Sequence, residues 1–599
     1  MSARRNVKAS ASATALGFPE VLAAPSQARI ATSVAGDSAS QDALQRLDAA
    51  VADLKRVAVE PMLRQAVACM RDEDPKTASE WAIKALQTDE RSGMGWYLLA
   101  IAREKVGDFK SSVQAYESAL ALLPDHASIA NDLGRLAYRL NMKDVAEKLF
   151  HHFIEANPTS YEAANNLASV VRDQNRYEEA IEIIRPAIEA NPEQPLLWNT
   201  LGTILSEQGS AEMALTFFDE ALRLEPGFAK ARYNRGNARL FVGMLDEALE
   251  DNELALSQTV AIDEQQMMTL ARSTIKIALG RIGEGWDDYE ARLSPHYAEA
   301  TRFLVDRPMW TPQDNVEGKS LVIMGEQGLG DEVLFANLIP DVIEEAGPTG
   351  KVSIAVEKRL VPLFQRSFPT ARVVPHATYR VEGRHLRAAP AITDWPKVDL
   401  WAPMASLLRK YRRAVIDFPM KERFLIADPD RVAYWKNVLA DAPSGPKVGI
   451  LWKSLKLDGA RKRYFSPFEQ WAPVLTTPGV TFVNLQYGES AAEIVQAKQE
   501  LGIDIWTPPG INLKDDVDDV AALTCALDLT IGFANATTNI AAACGAPTWM
   551  ISVPGAWTRL GTEEMPWYPA TRIFLPRDFG VWDPVMADVA IALATKFPA

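Results

Sequence analysis

Two turns in the C-terminal half of the chain hold residues whose types suit phosphate binding. The first spans 325–331 and reads Gly-Glu-Gln-Gly-Leu-Gly-Asp, directly after a short apolar run. Its glycines let the backbone approach a ligand closely, and the start of the helix predicted after it favours an anion. The glycine spacing differs from the dinucleotide-binding fingerprint. The residues alone fit a tight turn and a ligand site equally well.

The second turn spans 532–539 and reads Gly-Phe-Ala-Asn-Ala-Thr-Thr-Asn, ahead of an apolar helix. Four side chains of the helix-capping type crowd this helix start, although a single cap is enough for stability. They are Asn535, Thr537, Thr538 and Asn539. Hydroxyls and unpaired backbone N–H groups at a helix start suit a phosphate. The sequence therefore favours a phosphate site here, with capping alone as the alternative.

Basic residues near a predicted strand end supply positive charge for the same ligand. Lys453 follows the run Gly-Ile-Leu-Trp at 449–452, and Arg463 closes the run Arg-Lys-Arg at 461–463. Both could neutralise a phosphate through charge-assisted hydrogen bonds. A solvated loop is the alternative interpretation.

Both turns lie in a region where strand and helix patterns alternate. Short apolar runs at 321–324, 352–356 and 371–374 are separated by helical patterns, and the alternation restarts at 447. Such alternation predicts parallel, doubly wound sheets. We expect two α/β lobes, at 319–430 and 431–599, with ligands beyond the C-terminal ends of the strands.

A repeat of 34 residues precedes the lobes. Prolines at 124, 158, 192 and 226 keep this spacing, as do small residues at 146, 180, 214 and 248. The pattern resembles the tetratricopeptide repeat, a pair of short antiparallel helices. We predict a leading helix at 41–58, six repeats at 59–262, and a capping helix pair and linker at 263–318. Stacked repeats form an α superhelix whose groove normally holds a polypeptide, so we expect a protein partner rather than a purely structural spacer.

Composition limits the class of protein and its location. The 599 residues carry 63 Lys and Arg against 78 Asp and Glu, and this acidic balance argues against nucleic acid or an anionic membrane as the main partner. Three cysteines are too few for a disulfide framework and too far apart for a zinc cluster. We find neither a membrane-spanning apolar run nor a signal-peptide core. We expect a cytoplasmic protein with a flexible, Ala- and Ser-rich tail at 1–40.

The repeats, the first turn and several aromatic motifs together resemble a known arrangement. The motifs are Gly-Trp at 285–286, Tyr-Glu at 289–290, Gly-Ile-Leu-Trp-Lys at 449–453, Asn-Leu-Gln-Tyr-Gly at 484–488 and Trp-Tyr at 567–568. The chain looks like bacterial proteins that fuse tetratricopeptide repeats to a GT-B glycosyltransferase, a pair of Rossmann-like lobes related to the heptosyltransferases. In order and length it is most similar to the FlmG-type flagellin glycosyltransferases. The protein O-GlcNAc transferases share this layout.

The resemblance implies an inverting, metal-independent protein O-glycosyltransferase. It would transfer a nonulosonic acid of the pseudaminic acid type from a nucleotide-activated, CMP-linked donor to Ser or Thr of flagellin. The repeats would dock flagellin, and no cofactor besides the donor would be needed. The resemblance also implies that a last helix, near 586–597, crosses back onto the first lobe.

Two alternatives stay open. One is an enzyme like the O-GlcNAc transferases, whose paired threonines resemble those at 537–538. The other is a flagellin-binding chaperone with inert lobes. It follows from a departure: heptosyltransferase-like relatives carry Asp-Thr-x-x-x-His where this chain reads Ala-Asn-Ala-Thr-Thr-Asn at 534–539. All six histidines precede residue 386, so the second lobe has none.

By resemblance to the Gly-Asp position of the heptosyltransferases, Asp331 is the candidate base that takes the proton of the acceptor hydroxyl, with Glu326 as its substitute. A carboxylate that complements the helix dipole is the alternative interpretation. The residues predicted to bind the donor are Gln327, Gly328, Gly330, Lys453, Arg463, Gln486, Asn535, Thr537, Thr538 and Asn539. Asp-x-Asp pairs at 428–430 and 516–518 match the pattern of metal-dependent sugar transferases. The first pair is better explained as part of the connection between the lobes, and the second as the start of a helix, whose dipole its carboxylates complement. We therefore expect no essential metal.

Overall fold

The computed structural model describes residues 38–381, 384–455, 464–577 and 579–598. The chain divides into two compact units. One holds the residues up to Gln174 together with Glu182–Ala190, and the other holds Asn175–Ile181 and the residues from Asn191 onward. Most of the predicted tail at 1–40 lies outside the described residues. In the part of the chain that the structure describes, no helix is both long and apolar enough to cross a membrane.

In the repeat region, the helices between Pro75 and Gln258 are each 13 or 14 residues long, as the 34-residue period predicts. The helices are α1 (Ser38–Arg71), α2 (Pro75–Thr88), α3 (Gly93–Lys105), α4 (Phe109–Leu122), α5 (Ala127–Arg139), α6 (Lys143–Ala156), α7 (Tyr161–Asp173), α8 (Tyr177–Ala190), α9 (Pro195–Gln208), α10 (Ala211–Leu224), α11 (Ala229–Phe241), α12 (Leu245–Gln258), α13 (Ile262–Ala278) and α14 (Ile282–Tyr289). Each of the periodic prolines comes two residues after the end of a helix, where it prevents the helix from continuing.

Small residues recur where the helices of a pair cross. A Cβ on Gly134 would lie 2.7 Å from the ring of Phe150, and a Cβ on Gly202 would lie 2.8 Å from the ring of Phe218. Both glycines therefore let an aromatic ring of the second helix lie directly against the backbone of the first. The periodic alanines at 146, 180, 214 and 248 are likewise fully buried, as close packing of the helices requires.

One predicted boundary is absent. The leading helix expected at 41–58 and the first repeat helix expected from 59 form a single helix, α1, with Pro61 inside it. The sequence at 55–60 contains neither glycine nor a residue of the capping type that would end a helix. Pro61 removes one backbone hydrogen bond without breaking the helix.

Two separate parallel sheets follow, one in each predicted lobe. The strands are β1 (Arg302–Phe303), β2 (Ser320–Met324), β3 (Lys351–Val356), β4 (Arg372–Pro375), β5 (Ala377–Val381), β6 (Arg384–Ala388), β7 (Leu400–Pro403), β8 (Lys447–Leu451), β9 (Thr481–Asn484), β10 (Leu529–Phe533), β11 (Thr548–Ile551) and β12 (Arg572–Phe574). The first-lobe sheet has the order β4-β3-β2-β7 and the second-lobe sheet the order β12-β11-β10-β8-β9, with β1-β6-β5 as a small additional sheet. The predicted fold class, a superhelix of repeats followed by α/β lobes, is confirmed.

Helices of 4–14 residues lie between these strands or, for the last helix, after β12. They are α15 (Leu329–Phe335), α16 (Ile339–Ala346), α17 (Val361–Ser367), α18 (Leu408–Tyr411), α19 (Pro429–Ala440), α20 (Ala472–Leu475), α21 (Ala491–Gln496), α22 (Val517–Ala526), α23 (Ala536–Ala543) and α24 (Asp583–Lys596). Helices α15 and α23 follow the two turns that the sequence singled out.

The helix pair α13–α14 is packed into the core of the first lobe. Ile277, Ile282 and Trp286 belong to the same buried cluster as the residues of β2 and α15. The indole N–H of Trp286 donates to the backbone carbonyl of Arg412 at 2.8 Å. The segment predicted as a cap for the repeats is thus also part of the first lobe.

The last helix packs on its own lobe, which corrects the expectation that it crosses back. Val585 and Val589 of α24 pack in the buried cluster of the second lobe, together with Trp471. An earlier segment, at 565–568, joins the core of the first lobe instead. There Trp567 packs edge-on against Phe418, with ring centroids 4.8 Å apart, so aromatic side chains rather than the last helix provide this contact.

Candidate functional site

The two turns that the sequence singled out meet in the structure. Strand β2 leads through the first turn into α15, and β10 leads through the second into α23. The side-chain amide of Asn539 donates to the carbonyl of Gly330 at 3.2 Å. A Cβ on Gly330 would lie 3.4 Å from the backbone of Ala536, so glycine permits this close approach. Residues 325–331 and 534–539 therefore form one site at the C-terminal ends of both sheets, which we call the turn junction.

Glu326 is a buried anchor of the turn junction. Its carboxylate accepts two hydrogen bonds from the Arg292 guanidinium, both at 2.8 Å, and one from the backbone N–H of Ala405 at 2.7 Å. Burial would lower the pKa of Arg292, but the Glu326 carboxylate beside it raises that pKa above its usual value. These bonds occupy the carboxylate, and the role of Glu326 as a substitute base stays a prediction.

Asp331 lies in the first turn of α15 and is only partly buried. Its Oδ2 accepts a hydrogen bond from the backbone N–H of Gly328 at 3.1 Å, which is a helix-capping contact. The interpretation of Asp331 as a carboxylate that stabilises the start of the helix therefore has a structural basis. The role of Asp331 as a base stays a prediction.

The first turn has a strained backbone at its centre. Gln327 has a φ of 61°, in the left-handed region that residues other than glycine rarely adopt. The Arg387 guanidinium donates to the carbonyl of Gly325 at 2.7 Å and to that of Gln327 at 3.5 Å. Such strain persists only where surrounding contacts impose it, and it concentrates at functional sites. The exposed Gln327 and Gly328 leave this part of the turn open to a ligand.

A buried polar cluster next to this turn was missed by sequence reasoning. Nε2 of His376 lies 2.8 Å from Oε1 of Glu332, whose other oxygen accepts from the backbone N–H of Glu357 at 2.8 Å. Arg387 approaches the same carboxylate at 3.8 Å, and burial lowers the pKa of this arginine. A Cβ on Gly325 would lie 2.6 Å from the Glu332 carboxyl group, which explains this glycine. The position of His376 directly after β4 was the available signal, since it too lies at a strand end.

Helix capping already engages the polar groups that the sequence assigned to a phosphate. Asn535 Oδ1 accepts from the backbone N–H groups of Thr537 at 2.9 Å and Thr538 at 3.3 Å. The Thr538 hydroxyl donates to the carbonyl of Phe533 at 2.9 Å and accepts from the N–H of Asn535 at 3.0 Å. The Thr538 hydroxyl therefore serves the cap, and its role in donor binding stays a prediction. Among the described residues, however, Nδ2 of Asn535 is buried without a hydrogen-bond partner.

Gln486 and Lys453 lie together beyond β8 and β9. Oε1 of Gln486 accepts from the backbone N–H groups of Trp452 at 3.1 Å and Lys453 at 2.9 Å, and its amide donates to the carbonyls of Lys453 and Tyr487. The buried Gln486 therefore fixes the turn after β8, and its role as a donor ligand stays a prediction. The Lys453 ammonium pairs with Glu493. Arg463 lies outside the described residues.

The two Asp-x-Asp pairs are engaged in helix starts and ion pairs. Asp428 caps α19 by accepting from the backbone N–H of Arg431 at 3.2 Å. Asp518, in the first turn of α22, pairs with Arg366 at 2.7 Å. The described ranges contain no group of three or more His, Cys, Asp or Glu side chains that could hold a metal ion.

Known proteins match the repeat region in sequence and in structure. Tetratricopeptide repeat models match residues 97–150, 131–195 and 196–228. Among solved structures, MamA from Desulfovibrio magneticus RS-1 is 19% identical, covers 28% of this chain and 96% of its own, and has a TM-score of 0.27. A tetratricopeptide repeat protein from Parabacteroides merdae is 16% identical, covers 39% of this chain and 91% of its own, and has a TM-score of 0.35.

One curated relative matches both the repeats and the lobes. Protein FlbA of Caulobacter vibrioides is 51% identical over 582 residues, which cover 97% of this chain and 98% of the relative. The match therefore includes the turn junction and is not confined to the repeats. At this identity over nearly the full length of both proteins, the chain belongs to the family of Protein FlbA and is a tetratricopeptide repeat protein with two α/β lobes.

Proposed function

We propose that the protein is a protein O-glycosyltransferase that transfers a nonulosonic acid from a CMP-linked donor to Ser or Thr of flagellin. The observation that carries the proposal is the turn junction, where the C-terminal ends of two parallel sheets meet. Ligands in parallel α/β folds bind at such strand ends. The strained backbone at Gln327 and the unpartnered side-chain nitrogen of Asn535 support a ligand at the turn junction. The nature of the donor and acceptor rests on the resemblance of the sequence.

The proposed reaction is a single displacement at the anomeric carbon. The acceptor hydroxyl oxygen attacks this carbon, the bond to the donor phosphate breaks, and its electron pair leaves with the phosphate. The hydroxyl proton passes to a base, for which Asp331 is the candidate at the turn junction. Lys453 can balance the phosphate charge when it exchanges its ion pair with Glu493 for the donor.

The repeats supply a docking surface for the acceptor protein in this proposal. A depression of about 370 Å³ between α1 and α3 is lined by Leu63, Val67, Met94 and Leu98, with Arg64 and Arg71 among its other residues. Apolar side chains in a groove of this kind suit the apolar face of a helix. Docking at the repeats would raise the effective concentration of acceptor hydroxyls at the lobes.

A second candidate is a flagellin-binding protein whose lobes do not react. Glu326, Thr538 and Gln486 favour it, because contacts within the protein already occupy their polar groups. If these three side chains do not contact a donor, the donor has to bind through Lys453, Asn535 and backbone groups of the first turn.

Intact-mass measurement separates these candidates. Flagellin is incubated with the full chain and CMP-activated pseudaminic acid, and in parallel with UDP-GlcNAc. We expect added sugar mass with the CMP-linked donor alone. Added mass with UDP-GlcNAc alone would assign the protein to the O-GlcNAc transferase type. No added mass from either donor, with flagellin retained on the immobilised chain, would establish the binding protein.

Asp331→Asn tests the proposed base. The amide oxygen can still accept from the N–H of Gly328, so the melting temperature should change little. Transfer should slow by about 10²- to 10⁴-fold, the usual contribution of a general base. Asp516→Asn, at the start of α22, is the matched control and should leave the rate unchanged. An unchanged rate in Asp331→Asn would remove this residue from the mechanism.

A further inference from the structure

The N-terminal part of α1 presents an apolar stripe to solvent. Every residue from 44 to 58 is exposed, and burial begins at Val59. Leu44, Leu47, Val51 and Leu54 are 43–70% exposed. A row of large apolar side chains on a surface helix marks an interaction surface, since single exposed apolar residues are common but contiguous ones are not.

The spacing of these side chains is that of a coiled coil. Leu44, Val51 and Ala58 repeat every seven residues, which places them at one core position of a heptad. Leu47 and Leu54 lie three residues after the first two and occupy the other core position. We call these five residues the α1 seam. Two heptads of such a pattern fit against another helix of similar pattern.

The residues on either side of the α1 seam indicate which partner fits. One flank, at 43, 50 and 57, is Ala, Ala and Val, and the other flank carries Asp48 and Lys55. In a parallel pair of identical helices, each flank faces the opposite flank of the partner, so these charges would face small apolar residues. In an antiparallel pair each flank faces its own counterpart, so Asp48 of one copy meets Lys55 of the other twice. The same register places Leu54 opposite Val51.

We propose that residues 44–58 of α1 pair with the same segment of a second copy of this chain as an antiparallel coiled coil. Five seam side chains on each copy form a small interface, at the low end of those that hold specific complexes together. The dimer should therefore depend on protein concentration. The proposal does not depend on glycosyl transfer, because it rests on the exposure and charge of this helix alone.

Sedimentation of the full chain over a concentration series tests the pairing. The weight-average mass should rise from 66.0 kDa toward twice this value. Leu54→Glu places a carboxylate in the seam and should raise the dissociation constant by about 10-fold or more. Ala49→Glu, on the opposite face of the same helix, is the matched control and should change nothing. Both positions are exposed in a single copy, so neither change should alter the melting temperature.

Charge reversal tests the antiparallel register. Asp48→Lys or Lys55→Asp alone should weaken the dimer, because each sets like charges opposite each other, and the two changes together should restore it. A chain that stays monomeric at every concentration overturns the proposal, as does a dimer that Leu54→Glu leaves intact. A dimer that responds to Leu54→Glu but not to either charge reversal overturns the antiparallel arrangement.

Discussion

Arg292 and Glu326 tie the first turn of the turn junction to the helical segment that precedes the lobes. Their side chains are only 2% and 3% exposed, and two hydrogen bonds join them. Arg292 also donates to Ser406 at 3.0 Å, close to the end of β7. A single guanidinium therefore links three segments that lie far apart in the sequence. If either charge is removed, the other remains buried without its main partner.

Glu326→Gln should lower the free energy of unfolding by about 3 kcal/mol, because the amide leaves the Arg292 charge buried and poorly balanced. Denaturant unfolding, followed by tryptophan fluorescence, measures this change. Glu220→Gln removes the partner of Arg223 in an exposed pair on α10, and it should leave the unfolding curve nearly unchanged. Equal curves for Glu326→Gln and the unmodified chain would show that the pair does not stabilise the first lobe.

At the scale of elements, α14 connects to the first lobe through charges as well as through Trp286. Asp287 of α14 accepts from Arg413 at 3.1 Å and from Arg409 at 3.2 Å. Burial would raise the pKa of Asp287, but the hydrogen bonds from Arg413 and Arg409 outweigh it and lower the pKa below its ordinary value. The pairing therefore stabilises the fold above a pH of about 4 and is lost as the pH falls through the lowered pKa.

Asp287→Asn should destabilise the protein at pH 7 by less than about 1 kcal/mol, since the carboxylate is 44% exposed and screened by solvent. The difference from the unmodified chain should shrink as the pH falls below about 4, where Asp287 itself becomes neutral. Melting temperatures of both proteins across this pH range measure the effect. Glu253→Gln, an exposed carboxylate change on α12, provides the control. A difference that is constant with pH would show that the charge of Asp287 is not involved.

At the scale of the whole molecule, the boundary between helical repeats and α/β lobes is not a boundary of folding. The pair α13–α14 shares its buried cluster with the first lobe. Gly555 of the second lobe also lies against Leu240 of α11, where a Cβ on the glycine would lie 2.6 Å from the Leu240 carbonyl. The last repeats and the lobes consequently belong to one compact unit, which includes the residues from Asn191 onward.

Truncation tests this division. A fragment of residues 301–599 lacks α13–α14 and exposes the apolar surface that Trp286 and Ile277 cover, so it should aggregate or unfold without cooperativity. A fragment of residues 175–599 contains the whole unit and should melt cooperatively. Soluble yield and near-ultraviolet circular dichroism distinguish the two. Equal stability of both fragments would contradict the shared core.

Local patterns were enough to predict much of the fold. The prolines spaced by 34 residues predict where the helix pairs end, because each lies two residues past a helix and prevents that helix from continuing. Apolar runs such as 321–324 predict the strands. Glycines and capping residues mark the turns after β2 and β10, and ligands in parallel α/β folds bind at such strand ends. These features depend only on neighbours in the chain.

Tertiary structure alone decided which polar groups of the site are already engaged and which elements complete it. Glu326 and Asp331 both appear as carboxylates in a glycine-containing turn, but only packing sets Glu326 against Arg292, 34 residues earlier in the chain. Likewise, the indole N–H of Trp286 donates to the carbonyl of Arg412, which lies 126 residues later in the chain. The sequence determines the periods, caps and turns, because these depend on residues a few positions apart. Contacts between residues far apart in the chain depend on how the elements pack, because the sequence around a side chain does not show which distant group will neutralise or bury it.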